Sequence, residues 1–389
     1  MSELPAPPAV ALALSEELTA RIHAEIHAAG GSIPFSRYME LCLYSPGLGY
    51  YSAGLQKFGE AGDFVTAPEI SPLFGQCLAQ SCAAVLAELG GGDLLEFGAG
   101  SGRLAVDVLS ALAQLQQLPG TCYIIERSAD LRERQQVLLA GTLPDVADRV
   151  RWLDALPAGD FRGVILANEV LDAMPVERFH WTGAAVEQYC VADINEAFGW
   201  QLCKDTPVEL ATAVAGICED NSLPSGYVAE ANLMLAPWLQ GVATAMSQGV
   251  VLLADYGYPR HEYYHVQRTQ GTLMCHYRHR VHDDPFLWPG LQDITAHVDF
   301  TAVAEAAVAA GFAVSGYTTQ AHFLLDCGLE QLLQAQGEPQ STSYLRAAQQ
   351  VKTLIMPGEM GERFKFIALT KDVELEIPGF RMQNMRGRL

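Results

Sequence analysis

The sequence predicts an α/β protein with a Rossmann-like, seven-stranded sheet, and three observations carry that expectation. From Asp93 onward, short apolar runs alternate with amphipathic stretches, the pattern of parallel strands covered by helices on both faces. The run Asp93-Leu94-Leu95-Glu96-Phe97 breaks at Gly98-Ala99-Gly100-Ser101-Gly102 straight into Arg103-Leu104-Ala105-Val106, a strand, a glycine turn and a helix start. Further strand–helix units and a closing strand pair occupy the rest of the chain.

Taken in order, residues 1–14 read as a disordered lead and 15–90 as an N-terminal helical lid segment. Ser15 is expected to cap a helix with Glu16 and Glu17 in its first turn and Leu18, Ile22 and Ile26 on one face. A second helix holds Tyr38, Met39, Leu41 and Leu43 and ends before Ser45-Pro46-Gly47. The stretch 58–66 is a loop that Gly59 and Gly62 leave free to lie against a ligand. Ser71-Pro72 opens a helix that runs to Glu88. The core spans 91–255, with its second strand at 122–126, third at 149–153, fourth at 163–167 and fifth at 249–255. Within it, an insertion at about 176–200 reads as a β-hairpin turning at Thr182-Gly183. Residues 256–298 form a substrate-side insertion dense in Tyr, His, Arg and Asp. Residues 299–389 complete the core around a helical insertion at about 320–357, with a last strand at 364–369.

Half of the 389 residues are hydrophobic, enough for a large core. The 24 basic and 45 acidic residues leave −21, a field that repels nucleic acid and anionic membranes and attracts a cationic substrate or a basic protein surface. Nine scattered cysteines without a CxxC pair read as reduced thiols. The first fourteen residues lack Lys and Arg, so they fit neither a secretory signal nor a basic transit peptide, and no apolar run is long enough to span a membrane. These features point to the cytoplasm, and a homodimer is compatible with them.

The glycine spacing carries the chemistry. A dinucleotide turn wants G-x-G-x-x-G with pyrophosphate on the helix end. Here the third glycine comes one residue early, as Gly98-x-Gly100-x-Gly102, and Arg103 follows it. Glu96, two residues ahead, would repel a pyrophosphate but suits a ligand that carries an ammonium group. The turn resembles the first motif of the S-adenosylmethionine-dependent methyltransferases. Glu126, at the end of the second strand, is expected to accept hydrogen bonds from both ribose hydroxyls. Asp154-Ala155-Leu156 would meet the adenine edge, with Asp154 accepting from its amino group. Asn168 follows the fourth strand, where such enzymes present cofactor contacts.

Over nearly its whole length the chain is similar to the MidA-type class I methyltransferases, the family of the mitochondrial complex I assembly factor that methylates a protein arginine. The marks are Pro46-Gly47-Leu48-Gly49-Tyr50-Tyr51, Gly62-Asp63-Phe64-Val65-Thr66-Ala67-Pro68-Glu69-Ile70-Ser71, Leu95 to Gly102, Ala167-Asn168-Glu169-Val170-Leu171-Asp172-Ala173-Met174-Pro175, Asp255-Tyr256-Gly257 and Asp293-Ile294-Thr295-Ala296-His297-Val298-Asp299-Phe300. The resemblance implies S-adenosylmethionine held by the turn formed by Gly98, Ala99, Gly100 and Gly102, with a segment containing Asp63 and Thr66 folding over it. It also implies a protein arginine as acceptor. A guanidinium needs carboxylates to hold its planar fork, and Glu169, Asp172 and Asp255 follow the fourth and fifth strands. Tyr256, Tyr258 and Trp288 could wall a cation, or simply pack. A small-molecule acceptor, and a non-catalytic assembly factor that binds the donor, are the alternatives. His261-Glu262-Tyr263-Tyr264-His265 spells a zinc motif if helical, but it follows a turn inside an insertion, and polar contacts are the reading adopted; no metal is expected.

Overall fold

The computed structural model describes residues 4–52 and 65–389, which form two compact units. One comprises residues 65–170, 238–257 and 300–389; the other comprises the described residues up to 52 together with 171–237 and 258–299.

The first of these holds the sheet. Its strands lie in the order Ala313–Thr319, Phe364–Lys371, Met246–Tyr258, Phe161–Asn168, Asp93–Phe97, Cys122–Ile125, Val150–Leu153. From Met246–Tyr258 to Val150–Leu153 every pairing is parallel, and Phe364–Lys371 runs antiparallel to both its neighbours. Leu94, Leu95, Val164, Ile165 and Leu166 are buried, as strands covered on both faces require. The Pro72–Glu88 and Arg103–Gln114 helices bury Leu73, Phe74, Leu78, Leu104, Val108 and Leu112 in the same core. The chain lays down Asp93–Phe97, moves outward to Cys122–Ile125 and Val150–Leu153, then returns to the other side of Asp93–Phe97 with Phe161–Asn168. The carboxyl ends of Asp93–Phe97 and Phe161–Asn168 therefore flank a topological switch point, where open α/β sheets bind their ligands. At the far edge, Phe323 stacks on Phe366 with centroids 3.8 Å apart. The insertion near 320–357 contains three helices rather than two: Gln320–Asp326, Leu329–Gln334 and Thr342–Ile355.

The other unit is built on a five-stranded antiparallel sheet. Ser32–Pro34, Val186–Ile194, Glu177–Trp181 and Tyr227–Ala231 are neighbours in that order, and Ala197–Leu202 pairs with Val186–Ile194. Its helices bury Leu18, Ile22, Ile26, Phe35, Tyr38 and Met39, and the Tyr38 hydroxyl donates to the Pro285 carbonyl at 2.9 Å. A small sheet of Arg280–His282, Met274–Tyr277 and Asp293–Thr295 completes it.

Several expectations are corrected. The first helix is Ala9–Ala28, so the lead does not stay irregular to residue 14. Pro8 precedes the helix with φ −61, and Ala9-Val10-Ala11-Leu12-Ala13-Leu14 supplies good helix formers. Ser15 is no cap: it lies on the buried face with Ala11 and Leu18. Ala67–Ile70 and Pro72–Glu88, assigned to the lid, belong to the sheet unit, whereas the hairpin and the 258–298 stretch join the N-terminal helices. The thiols are not all reduced. Cys190 and Cys203 are disulfide-bonded with Cα atoms 5.4 Å apart, because the antiparallel register sets Cys190 opposite Gln201 and carries Cys203 alongside. The zinc-like motif has no helix to work on: Arg260–Tyr263 is four residues long, and His265 lies beyond it. Among the described residues no group of three metal-binding side chains converges, and no helix is long and apolar enough to cross a membrane.

Candidate functional site

The turn at the switch point explains its own glycines. Gly98, Gly100 and Gly102 have φ of +61, +54 and +85, so all three sit in the left-handed region that side chains resist. Gly98 donates to the Ile125 carbonyl at 2.9 Å, tying the turn to the next strand, and Gly102 caps the Arg103–Gln114 helix. Ala99 is buried, and Gly98 is exposed. The Ser101 hydroxyl donates to the Glu69 carboxylate, which anchors the Ala67–Ile70 helix to the turn. Asp107 pairs with Arg103 one helical turn away at 3.3 Å, and its burial still pushes its carboxyl up to about 6.

Two buried acids stand beside this turn. Glu96 is 3 % exposed, and burial, reinforced by the Glu126 charge, lifts it to about 8. Glu126 is 7 % exposed, and burial raises it from the ordinary carboxylate value against the pull of its hydrogen bonds. Its Oε1 accepts from the Ser128 N–H at 3.0 Å and its Oε2 from Gln135 Nε2 at 3.1 Å. A carboxylate has about four lone-pair sites, so acceptor capacity remains for a ligand.

Asp154 and Ala155 are exposed, and Asp154 is held by Arg132 at 2.6 Å. Arg132 also donates to the Glu126 and Leu153 carbonyls, so one guanidinium joins the ends of two adjacent strands. Leu156 is half-buried facing Gly241, and Phe97 meets Trp238 at 5.2 Å, giving the sheet edge an apolar side. Asn168 Oδ1 is buried with no hydrogen-bond partner among the described residues, an orphaned acceptor at the strand end.

Glu169 has φ +53, a left-handed conformation that costs a non-glycine residue free energy and clusters at functional sites. The strain is held in place locally. The Glu169 N–H donates to the Ala254 carbonyl at 2.9 Å, and the next N–H, on Val170, donates to Asp255 Oδ2 at 3.2 Å. Asp255 is 1 % exposed, and its Oδ1 accepts from the Tyr256 N–H at 2.9 Å. Each of its oxygens therefore accepts a backbone N–H, so Asp255 braces the Glu169 turn. Asp172 belongs to the other unit; it is 5 % exposed, and its carbonyl accepts from the Ala296 N–H at 3.1 Å. It is the cap of no helix, since the segment after it is a turn. Thr66 precedes the Ala67–Ile70 helix, and its carbonyl takes the Glu69 and Ile70 N–H groups. Asp63 lies outside the described residues.

Glycine spacing and strand ends lead to most of this site, but Gln135, Trp152, Arg132 and the Ser101–Glu69 contact escape that reading. For Gln135 a signal exists: it falls between Leu131 and Leu139 at helical spacing, a polar residue in an apolar register.

Comparison with known proteins decides the family. Residues 77–318 match a family described as "Putative S-adenosyl-L-methionine-dependent methyltransferase". The chain belongs to this methyltransferase family. A Burkholderia thailandensis protein, crystallised with S-adenosyl-homocysteine bound, is 46 % identical over the whole of both chains with a TM-score of 0.94. Among curated relatives, the mouse mitochondrial protein arginine methyltransferase NDUFAF7 is 30 % identical across 87 % of this chain and 81 % of its own. Its Drosophila melanogaster homologue is 29 % identical across 92 % and 84 %. The MidA-type resemblance and the class I fold are thus shown, and the protein is an S-adenosylmethionine-dependent methyltransferase. The expectation of a cytoplasmic protein is corrected, since these curated relatives are mitochondrial.

Proposed function

We propose that this methyltransferase modifies an arginine side chain of a protein. The observation that carries the reading is the likeness, over more than four-fifths of both chains, to relatives named protein arginine methyltransferases. The charge of −21 supports it, because a cationic acceptor is drawn to such a surface. The bound donor supplies an electrophilic methyl group, so the chain's task is alignment and charge.

In this reading the open backbone of Gly98, Ala99, Gly100 and Gly102 lies along the donor's methionine part, and Glu96 pairs with its ammonium group. Glu126 accepts from the ribose diol. Asp154, Ala155 and Leu156 border the adenine, with Phe97 and Trp238 as its apolar side. Asn168 turns its orphaned oxygen to the ligand. Glu169 orients the guanidinium, while Asp255 holds the Glu169 turn; Asp172 is a separate candidate for the acceptor.

Peptides that differ only in having Arg or Lys at one position test the acceptor class. Label transferred to the arginine peptide alone is expected, and equal transfer to lysine contradicts the reading.

A pH dependence follows from Glu96. Its carboxyl sits at about 8 in the fold against 4.5 ordinarily, so the folded chain keeps a proton that the unfolded chain releases. The stability this lends the unliganded protein is complete below about pH 4.5 and is lost as the pH rises through about 8. An ammonium pairs with the ionised form alone. Affinity for S-adenosyl-homocysteine is therefore expected to rise between about pH 6 and about pH 8, by at most tenfold per unit. Calorimetry on Glu96→Gln should show weaker binding with a flattened profile; an unchanged slope would remove Glu96 from the ammonium site.

A further inference from the structure

The Ala129–Thr142 helix turns Leu131, Gln135 and Leu139 inward, two apolar side chains and one amide. Gln135 is fully buried at 0 % exposure, where an unsatisfied amide would be strongly unfavourable. Each end of it is occupied. Nε2 donates to the Gly100 carbonyl at 2.9 Å and to Glu126 Oε2 at 3.1 Å, and Oε1 accepts the Trp152 indole N–H at 2.9 Å. The reverse orientation would set Oε1 against two acceptors and Nε2 against a donor, so these partners select one orientation of the amide. Gly102 leaves room for the side chain to pass: a Cβ there would come within 3.1 Å of Gln135 Cγ.

We propose that Gln135 is a positioning residue of the methyltransferase: it aims the Glu126 carboxylate and locks the Gly100 peptide in its left-handed turn, with Trp152 fixing the direction of the amide. The inference rests on the reading of Glu126 as the partner of the ribose diol. Ser128 holds the other oxygen of Glu126 through a backbone N–H two residues away, which orients the carboxylate only against its own loop. Gln135 is what joins it to the glycine turn. The amide thus adds a side-chain link, beside the backbone tie from Gly98 to Ile125, between the two parts of the chain that grip the ribose and the methionine ends of the donor.

The test compares S-adenosyl-homocysteine with its 2′-deoxy analogue by calorimetry, in the wild type and in Glu126→Ala, Gln135→Leu and Trp152→Phe. The wild type is expected to prefer the diol by about tenfold or more, the scale of a hydrogen bond to a charged group, and Glu126→Ala to lose that preference. Gln135→Leu fills similar space without the hydrogen bonds. It should bind S-adenosyl-homocysteine about tenfold more weakly and keep at most about a twofold preference for the diol. Trp152→Phe should lose part of the preference, since the Gln135 Oε1 then has no donor and the amide is held at its Nε2 end alone. A merely structural role would weaken both ligands equally and leave the ratio intact, and a folded Gln135→Leu with the wild-type ratio overturns the inference. Should that variant fail to fold, an unchanged ratio in Trp152→Phe overturns it in its place. A wild type without any preference for the diol overturns the Glu126 reading, and the inference falls with it; a preference lost in Glu126→Ala but kept in Gln135→Leu overturns the inference alone.

Discussion

Glu169→Gln is expected to slow methyl transfer by about two to three orders of magnitude while S-adenosylmethionine affinity changes by less than about threefold. The amide keeps the size and the left-handed backbone of Glu169 but removes the charge that would hold a guanidinium in line with the donor's methyl group. Asp172→Asn should behave in the same way, because it too is assigned to the acceptor and not to the donor. Paired measurements check this: calorimetric titration of the donor, and label transfer to an arginine substrate. A loss of donor affinity that matches the loss of rate would make these acids ground-state donor contacts. Wild-type rates in both variants would remove the acid pair from the mechanism.

Gly100→Val is expected to abolish the stabilisation that S-adenosyl-homocysteine gives the wild type. A ligand at about a hundred times its dissociation constant adds about 2.7 kcal/mol of stability, which a melting curve registers readily. At φ +54 a β-branched residue is strained by about 1–3 kcal/mol, so the unliganded variant should melt earlier but still cooperatively. A side chain there would also stand between the backbone and the ligand and disturb the carbonyl that accepts from Gln135. A folded variant whose melting temperature rises with ligand as the wild type's does would show that the turn is not the donor's seat.

The fold was legible because its strands are buried on both faces. Leu94-Leu95, Val164-Ile165-Leu166 and Val250-Val251-Leu252-Leu253 are the apolar runs expected of a covered parallel sheet when they alternate with helices, and the glycine turn marks which of them lies at the switch point. The N-terminal boundary is hidden in the sequence because a serine before two glutamates imitates a cap, although the helix already starts after Pro8. The joining of Cys190 to Cys203 depends on which strands pair, and sequence spacing is silent about that. Within the candidate site, residues announced by local chemistry, Glu96 and Glu126 among them, stood out. Residues whose task is to hold others did not: Gln135 looks like one more polar position on a helix until the fold closes Trp152 and Gly100 around it. Asp255 shows the converse, an acid at a promising strand end whose oxygens are drawn to the Val170 and Tyr256 N–H groups.

The most direct measurement of the central claim is transfer of label from methyl-labelled S-adenosylmethionine to cell-lysate proteins by the purified enzyme, followed by hydrolysis to amino acids and chromatography. The account predicts label in methylated arginine that is lost in Glu169→Gln. Label confined to small molecules, or found on a protein residue other than arginine, would contradict it.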